Sequence, residues 1–363
     1  MLKTAAIFDG PDKPFILKKY EEPAAASGQV VLDLIASGVC GTDVHICGGF
    51  LAMPDFPLII GHEFIGSVAS IGDGVHCDAL GRALSVGDKC IACVAIPCGK
   101  CYNCRRGETA SCMAFQVTYA HNAAEEPHFH GGFAECLCSL AANVVKLPDG
   151  VDPFAAAAVP CGGPTVIRAC EYGGGLNAGE VVVVQGNGPL GLFALAWAKA
   201  HDCRVIVVGS ASNPERVNLM NSLKPDAFFN YRDTDAAAVL KCVSRHTDGN
   251  GADVVIETSG APDAFPFGIE LLRTRGRYFV PGQYSNRGNV SIAPQMITFK
   301  ALRITGSGQY TLCDVDTYIE FLKRHAEIQP IFAAMLGKYP VSAADNAIAD
   351  AKAGKAIKAV LVK

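Results

Sequence analysis

Cys98-x-x-Cys101-x-x-Cys104, followed after seven further residues by Cys112, is the densest set of metal-binding side chains in the chain. Four thiolates from one short segment can fill all four positions of a tetrahedral Zn²⁺, which makes a closed, structural site. Gly99 and Gly107 allow the backbone to fold tightly around such an ion. An iron–sulfur cluster is the competing reading of the same ligands, but the count and spacing favour zinc. Cys90 and Cys93 repeat the C-x-x-C spacing just upstream, yet they are surplus to a complete set. They read as small buried residues on a strand.

A second group is scattered. It comprises Cys40-Gly41-Thr42-Asp43-Val44-His45, then Gly61-His62-Glu63-Phe64-Ile65-Gly66, and finally Val159-Pro160-Cys161-Gly162-Gly163. Singly, each Cys or His is more often packed than ligating. Cys40, His62 and Cys161 together make a Cys₂His set, and three protein ligands leave a fourth position for water or substrate.

With these motifs, over essentially its whole length, the sequence resembles the zinc-containing medium-chain dehydrogenase/reductase superfamily, which includes alcohol, sorbitol, threonine and butanediol dehydrogenases. The resemblance implies Cys40, His62 and Cys161 as ligands of a catalytic zinc, with Glu63 as an auxiliary group that exchanges with bound water. Cys161 stands where relatives place an acidic residue at or near this point. Asp43 would accept the other ring N–H of His62 and fix its tautomer; an ordinary turn residue is the plainer alternative. Zn²⁺ lowers the pKa of a bound alcohol, so that an alkoxide can form near neutral pH and expel hydride from its carbon. Thr42 matches the family's relay hydroxyl and His45 its terminal base, a pair able to shuttle a proton to solvent; a surface histidine is the alternative for His45.

The hydride acceptor is implied by Gln185-Gly186-Asn187-Gly188-Pro189-Leu190-Gly191, a G-x-G-x-x-G turn placed directly after an apolar run and opening a helical pattern. Its glycines permit a tight turn and close approach of backbone to a pyrophosphate at the helix N-terminus. Lys358, with Lys355, is similar to a basic position that the family uses near the pyrophosphate; both could equally be solvated. Gly209 and Ser210 stand where an NAD-binding sheet ends in Asp or Glu. No Lys or Arg precedes Arg216 there, and a 2′-phosphate site normally needs a nearby cation, so the residues lean to NAD and leave NADP open.

The elements that must position these groups fall into two textures. Up to about Cys161 the chain is rich in Gly, Pro and Cys with short apolar alternations such as Val30 to Ile35, a β-rich pattern full of turns. From Gly162 apolar runs alternate with helical patterns: Val181 to Val184, Arg204 to Val208, Asp226 to Asn230, Asp253 to Glu257 and Tyr278 to Val280. That alternation predicts a doubly wound parallel sheet. The expected organisation is α/β: a discontinuous, β-rich, GroES-like catalytic domain over 1–161 and 304–363, and a Rossmann domain over 162–303. The tail carries a helical pattern near Asp314 to Arg324 and ends on a strand at Ala359 to Val362.

Composition excludes several other classes. With 363 residues, 50 % hydrophobic and 18 % charged, the chain is long enough for two buried cores and is not disordered. A net charge of −4 gives no footprint for nucleic acid or an anionic membrane. The start lacks a signal-peptide core and no long apolar run occurs, so a cytoplasmic protein is expected. Its sixteen cysteines are then reduced thiols or metal ligands. The expected partners are a small alcohol or carbonyl substrate and further copies of the chain, as a homodimer or homotetramer.

Two rival readings stay open: a zinc-free quinone or enoyl reductase of the same superfamily, and a non-enzymatic protein sensing NAD(P). Phe50, Leu51, Phe56, Leu58 and Tyr284 are candidate pocket positions, with core packing as the equal alternative; their apolar character favours a secondary or cyclic alcohol over a polyol. The stretch from Gln116 to His130, with His121, His128 and His130, reads as a solvated surface excursion, with shaping of the pocket mouth as the alternative.

Overall fold

The structure is a computed structural model that describes all residues except 52, 54, 55, 94 and 283–287. The chain forms two compact units, one from Met1–Cys161 with Thr311–Lys363 and the other from Gly162–Tyr310.

The first unit is built on a seven-stranded sheet among the described residues. Strand Gln29–Gly38 lies at its centre, between Glu63–Ile71 and Lys358–Val362, with Cys136–Leu140 pairing its first half. Val30, Leu32, Leu34 and Ala36 are buried, as are the intervening Val31 and Ser37, so both faces of this strand are largely covered. The registers fix the functional end of the sheet: Gly38 stands opposite Glu63 on one side and Val360 on the other. Only glycine fits between them. A Cβ on Gly38 would come within 2.1 Å of Glu63 Oε2 and 3.0 Å of Lys358 Cε. From the tail, helix Leu312–Arg324 buries Val315, Tyr318, Ile319 and Leu322, and Tyr318 donates its hydroxyl proton to the Ala156 carbonyl at 3.0 Å.

The second unit is a six-stranded parallel sheet ordered Ala227–Asn230, Arg204–Gly209, Val181–Gln185, Ala252–Glu257, Leu272–Val280, Arg303–Gly306. Val181 to Val184 form one continuous apolar run because helices cover both faces of such a sheet. Val183, Ile206, Val255 and Tyr278 lie in its core. Strand order reverses at Val181–Gln185, and in open α/β sheets ligands bind beyond the carboxyl end of the strands at that point.

One boundary differs from expectation. The return to the first unit, expected at Ile304, comes at Thr311. Arg303–Gly306 pairs in parallel with Leu272–Val280, Arg277 opposite Arg303 and Val280 opposite Gly306, and so completes the dinucleotide-type sheet. This edge strand is short and mostly exposed, and thus lacks the apolar run that marks its neighbours. Helix Leu312–Arg324 then starts at a capping box in which Asp314 accepts from the Thr311 backbone N–H at 2.6 Å. No helix among the described residues is long and apolar enough to cross a membrane.

Candidate metal and dinucleotide sites

Helix Gly41–Cys47 begins on Cys40, whose backbone N–H donates to Asp43 Oδ2 at 2.8 Å. That bond caps the helix and fixes the Asp43 carboxylate, which is fully buried. Its second oxygen faces His62 Nδ1 at 3.4 Å, and neither of these two atoms has a hydrogen-bond partner among the described residues. With Nδ1 turned to the carboxylate, Nε2 is left for the thiols. His62 arrives at the end of its loop, immediately before strand Glu63–Ile71. Cys161 comes from the far end of the unit's first segment, and ligand atoms of Cys40, His62, Glu63 and Cys161 all lie within 4.8 Å of one another.

The electrostatics of this cluster suit a cation. A hydrogen bond from Cys161 holds the Cys40 thiol well below its ordinary pKa, against burial and with help from His62 and Lys358. Cys161 is correspondingly pushed well above its ordinary value by the same bond and by burial. Burial would lower the His62 pKa, but Asp43 and Cys40 override it and raise it well above the usual range. Glu63 is pushed up to about 7, by burial first, with Lys358 opposing and Cys40 assisting. Two soft, partly buried thiols beside a buried imidazole and carboxylate match the donor set of zinc.

Lys358 is not a solvated lysine. Its ammonium is buried, donating to Glu63 Oε2 and to the Val39 carbonyl at 3.1 Å. The cause is the sheet register, which brings the start of strand Lys358–Val362 beside Gly38 and Glu63. A lone lysine opening the strand Lys-Ala-Val-Leu-Val was the available signal, since a buried cation requires a buried anion. Lys355, in contrast, is exposed and near Asp350.

Thr42 and His45 occupy one helix at a spacing of three, hence on one face. Thr42 Oγ1 is 3.8 Å from Cys40 Sγ, and His45 is half-buried with its ring 6.2 Å from that of Phe50.

The four-cysteine lobe is closed at its base by the short pair Ala95–Ile96 and Gln116–Val117. Within it the ligand atoms of Cys98, Cys101, Cys104 and Cys112 lie within 4.8 Å of one another. Backbone N–H groups point at the sulfurs: Cys98 donates to Cys112 Sγ at 3.2 Å, and Cys101 to Cys98 Sγ and Ala114 to Cys112 Sγ at 3.4 Å each. Such donors favour thiolates; hydrogen bonds from Met113 and Cys104 backbone bring Cys101 down to about 6. Cys90 and Cys93 lie outside the group and are buried, with burial pushing each up to about 12.

In the second unit, Gly186 follows strand Val181–Gln185 with φ +106°, a conformation side chains rarely adopt, and Gly188 caps helix Pro189–Ala200. Pro189 takes the first helical position, with Leu190 and Gly191 in the first turn. Apart from its chain neighbours, no described residue has an atom within 4 Å of a Cβ built on Gly188, so the turn is open where a pyrophosphate would approach the helix N-terminus. Gly209 ends strand Arg204–Gly209, Ser210 follows it, and Arg216 lies in the first turn of helix Pro214–Ser222.

Several expectations outside these clusters change. Leu58 is fully buried between Phe8 and Asn122, a core residue rather than a pocket wall. Phe50, Leu51 and Phe56 are exposed, and Tyr284 lies outside the described residues. The stretch from Gln116 to His130 is anchored instead of being a free excursion: Tyr119, Ala123 and Phe129 are buried, and the Tyr119 ring centroid is 5.5 Å from that of His62. Nothing in the sequence singled out Tyr119. His121 and His130 face each other at 5.1 Å, and His128 stacks on Tyr20 at 4.2 Å.

Comparison with known proteins bears on the same two regions. Residues 26–149 match the alcohol dehydrogenase GroES-like domain and residues 189–324 the zinc-binding dehydrogenase family. A 5-exo-hydroxycamphor dehydrogenase of Pseudomonas putida is 31 % identical over 345 residues, 93 % of this chain and 92 % of its own. A sorbitol dehydrogenase of Halalkalibacterium halodurans is 30 % identical over 96 % of this chain and 95 % of its own. The crystal structure of an alcohol dehydrogenase from Thermotoga maritima superposes with a TM-score of 0.93 at 27 % identity, covering 100 % of this chain and 99 % of that one. The chain therefore belongs to the zinc-type alcohol and polyol dehydrogenase family of the medium-chain dehydrogenase/reductase superfamily.

Proposed function

We propose that the protein catalyses reversible hydride transfer between an alcohol and a nicotinamide dinucleotide, with one zinc ion held by Cys40, His62 and Cys161 and a second by Cys98, Cys101, Cys104 and Cys112. The convergence of the first three residues with Glu63 in one donor set, ligand atoms within 4.8 Å of one another, carries this reading. Zinc, when bound there, would supply Lewis-acid polarisation of the alcohol or carbonyl oxygen.

The chain's own residues do the rest. Asp43 keeps the His62 proton on Nδ1, leaving Nε2 free as a donor atom. Lys358 neutralises Glu63, whose charge beside Cys40 would otherwise stand in a buried site. The substrate hydroxyl proton leaves through Thr42 to His45, which release it to solvent from one face of helix Gly41–Cys47. The open turn at Gly188, with the N-terminus of helix Pro189–Ala200, receives the pyrophosphate.

Exposed Phe50 and Phe56 support an apolar, secondary or cyclic alcohol, a class to which the substrate named for the hydroxycamphor relative belongs. The sorbitol relative supports a polyol as the second reading. A homodimer or homotetramer belongs to the same proposal, supported by the sheet-edge position of Arg303–Gly306, with Ile304 partly exposed. Initial rates with secondary, cyclic, aromatic and polyol alcohols, and with a quinone and an enoyl substrate, each with either dinucleotide, test it. Turnover highest on cyclic or secondary alcohols is expected; turnover confined to quinones or enoyl substrates would replace it with the zinc-free reductase reading, and none on any substrate with the sensor reading.

A further inference from the structure

In a dinucleotide-binding sheet of this kind, an NAD-specific site places a carboxylate at the end of the second strand to accept from the ribose 2′-hydroxyl. Here Asn187, the residue between the first two glycines of the turn, fills that space. It is buried, its Nδ2 donates to the Ser210 carbonyl at 2.9 Å, and its Oδ1 accepts from the Ser210 N–H at 3.0 Å. A Cβ on Gly209 would lie 2.6 Å from both Cγ and Oδ1 of Asn187, so neither Asp nor Glu can stand at 209 while Asn187 keeps these bonds. The position lacks an anion by construction.

Donors surround it instead. The hydroxyls of Ser210 and Ser212 are 2.8 Å apart, and Arg216 Nη2 is 3.5 Å from Ser212 Oγ. Arg216 Nε is buried with no hydrogen-bond partner among the described residues. Burial draws the Arg216 pKa below its ordinary value, with Tyr231 opposing. Tyr231 is tied to the strand end by its N–H donating to the Gly209 carbonyl at 2.9 Å. The exposed Arg232 sits on it, its Nε donating to Tyr231 Oη at 3.2 Å and its guanidinium 5.7 Å from the ring centre. The neighbouring carboxylate of Asp233 accepts from Asn230 Nδ2.

We propose that Ser210, Ser212, Arg216 and Arg232 form a 2′-phosphate subsite and that the protein therefore takes NADP(H) in preference to NAD(H). This rests on the dinucleotide reading above and reverses the lean that the sequence alone gave. Arg216 lies in the first turn of the following helix, and Arg232 follows the next strand, Ala227–Asn230. Two guanidiniums and two hydroxyls are the donors that a phosphate monoester requires, and an unpaired guanidinium N–H is the feature that a bound phosphate oxygen would satisfy.

Calorimetric titration of the full-length protein with NADP⁺ and NAD⁺, without substrate, tests the inference independently of turnover. NADP⁺ is expected to bind at least about tenfold tighter. Arg216→Ala should lower the NADP⁺ to NAD⁺ affinity ratio by about tenfold or more, and the exposed Arg232→Ala by about threefold, which keeps the test valid if the first variant folds poorly. Equal or tighter binding of NAD⁺ by the wild type, or an unchanged ratio in both variants, would overturn the subsite while leaving hydride transfer standing. Binding of neither dinucleotide would overturn both.

Discussion

The two cysteine-rich groups solve the same problem by opposite means. The lobe from Cys98 to Cys112 gathers its four thiols within one stretch of chain, and backbone N–H groups at 3.2–3.4 Å from the sulfurs supply the local field. The cluster of Cys40, His62, Glu63 and Cys161 draws on a helix cap, a strand start and the far end of the segment, and its field comes from Asp43 and Lys358, both buried. A local group depends on turns, whereas a dispersed one depends on sheet register. The first should therefore fail by local unfolding and the second by loss of chemistry.

The largest effect is expected from Cys40→Ala, which should reduce kcat/KM by about a thousandfold or more, since the Lewis acid it is proposed to hold would contribute several kcal/mol to the reaction. Circular dichroism should remain native. Cys104→Ala is the counterpart in the lobe: thermal unfolding should drop by roughly 10 °C, as several kcal/mol of metal-linked stability is lost, while enzyme still folded should keep most of its turnover. If Cys104→Ala abolished turnover without a change in melting, the division of roles would be wrong.

Smaller effects separate the supporting residues. Lys358→Met leaves Glu63 buried without its cation, and urea unfolding should show a loss of about 3–5 kcal/mol, largely recovered by adding Glu63→Gln. Recovery identifies the pair; equal losses in single and double variants would make Lys358 a packing residue. Asp43→Asn should weaken zinc retention at the dispersed cluster by about 10- to 100-fold in a chelator competition, with the lobe's zinc unaffected. His45→Gln should lower turnover by about tenfold below neutrality, less than a full acid–base contribution because water can take over at a half-buried site. Kinetics unchanged from about pH 6 to 9 would remove it from the proton path.

These contrasts also explain what the sequence disclosed. The lobe was legible because its spacing lies within one segment, and the parallel sheet because Val181 to Val184 and its counterparts are uninterrupted apolar runs. The dispersed residues could be assigned as ligands of one ion only through family resemblance, since no periodicity links Cys40 to Cys161. Three features needed three-dimensional pairing. Lys358 meets Glu63 only through the register at Gly38, Asn187 blocks Gly209 only once the turn folds back on the second strand, and Tyr119 reaches His62 from a stretch that reads as polar loop. The end of the second unit is unmarked in the sequence for a related reason: Arg303–Gly306 is a short, exposed edge strand, recognisable by its partner and not by its own pattern.

The most direct test of the two-site division is metal content by inductively coupled plasma mass spectrometry on the protein purified without added metal, alongside Cys40→Ala and Cys104→Ala. Two zinc ions per chain are expected in the wild type and one in each variant. No zinc in the wild type, or both ions lost together in Cys40→Ala, would contradict a dispersed catalytic cluster that is independent of a closed local one.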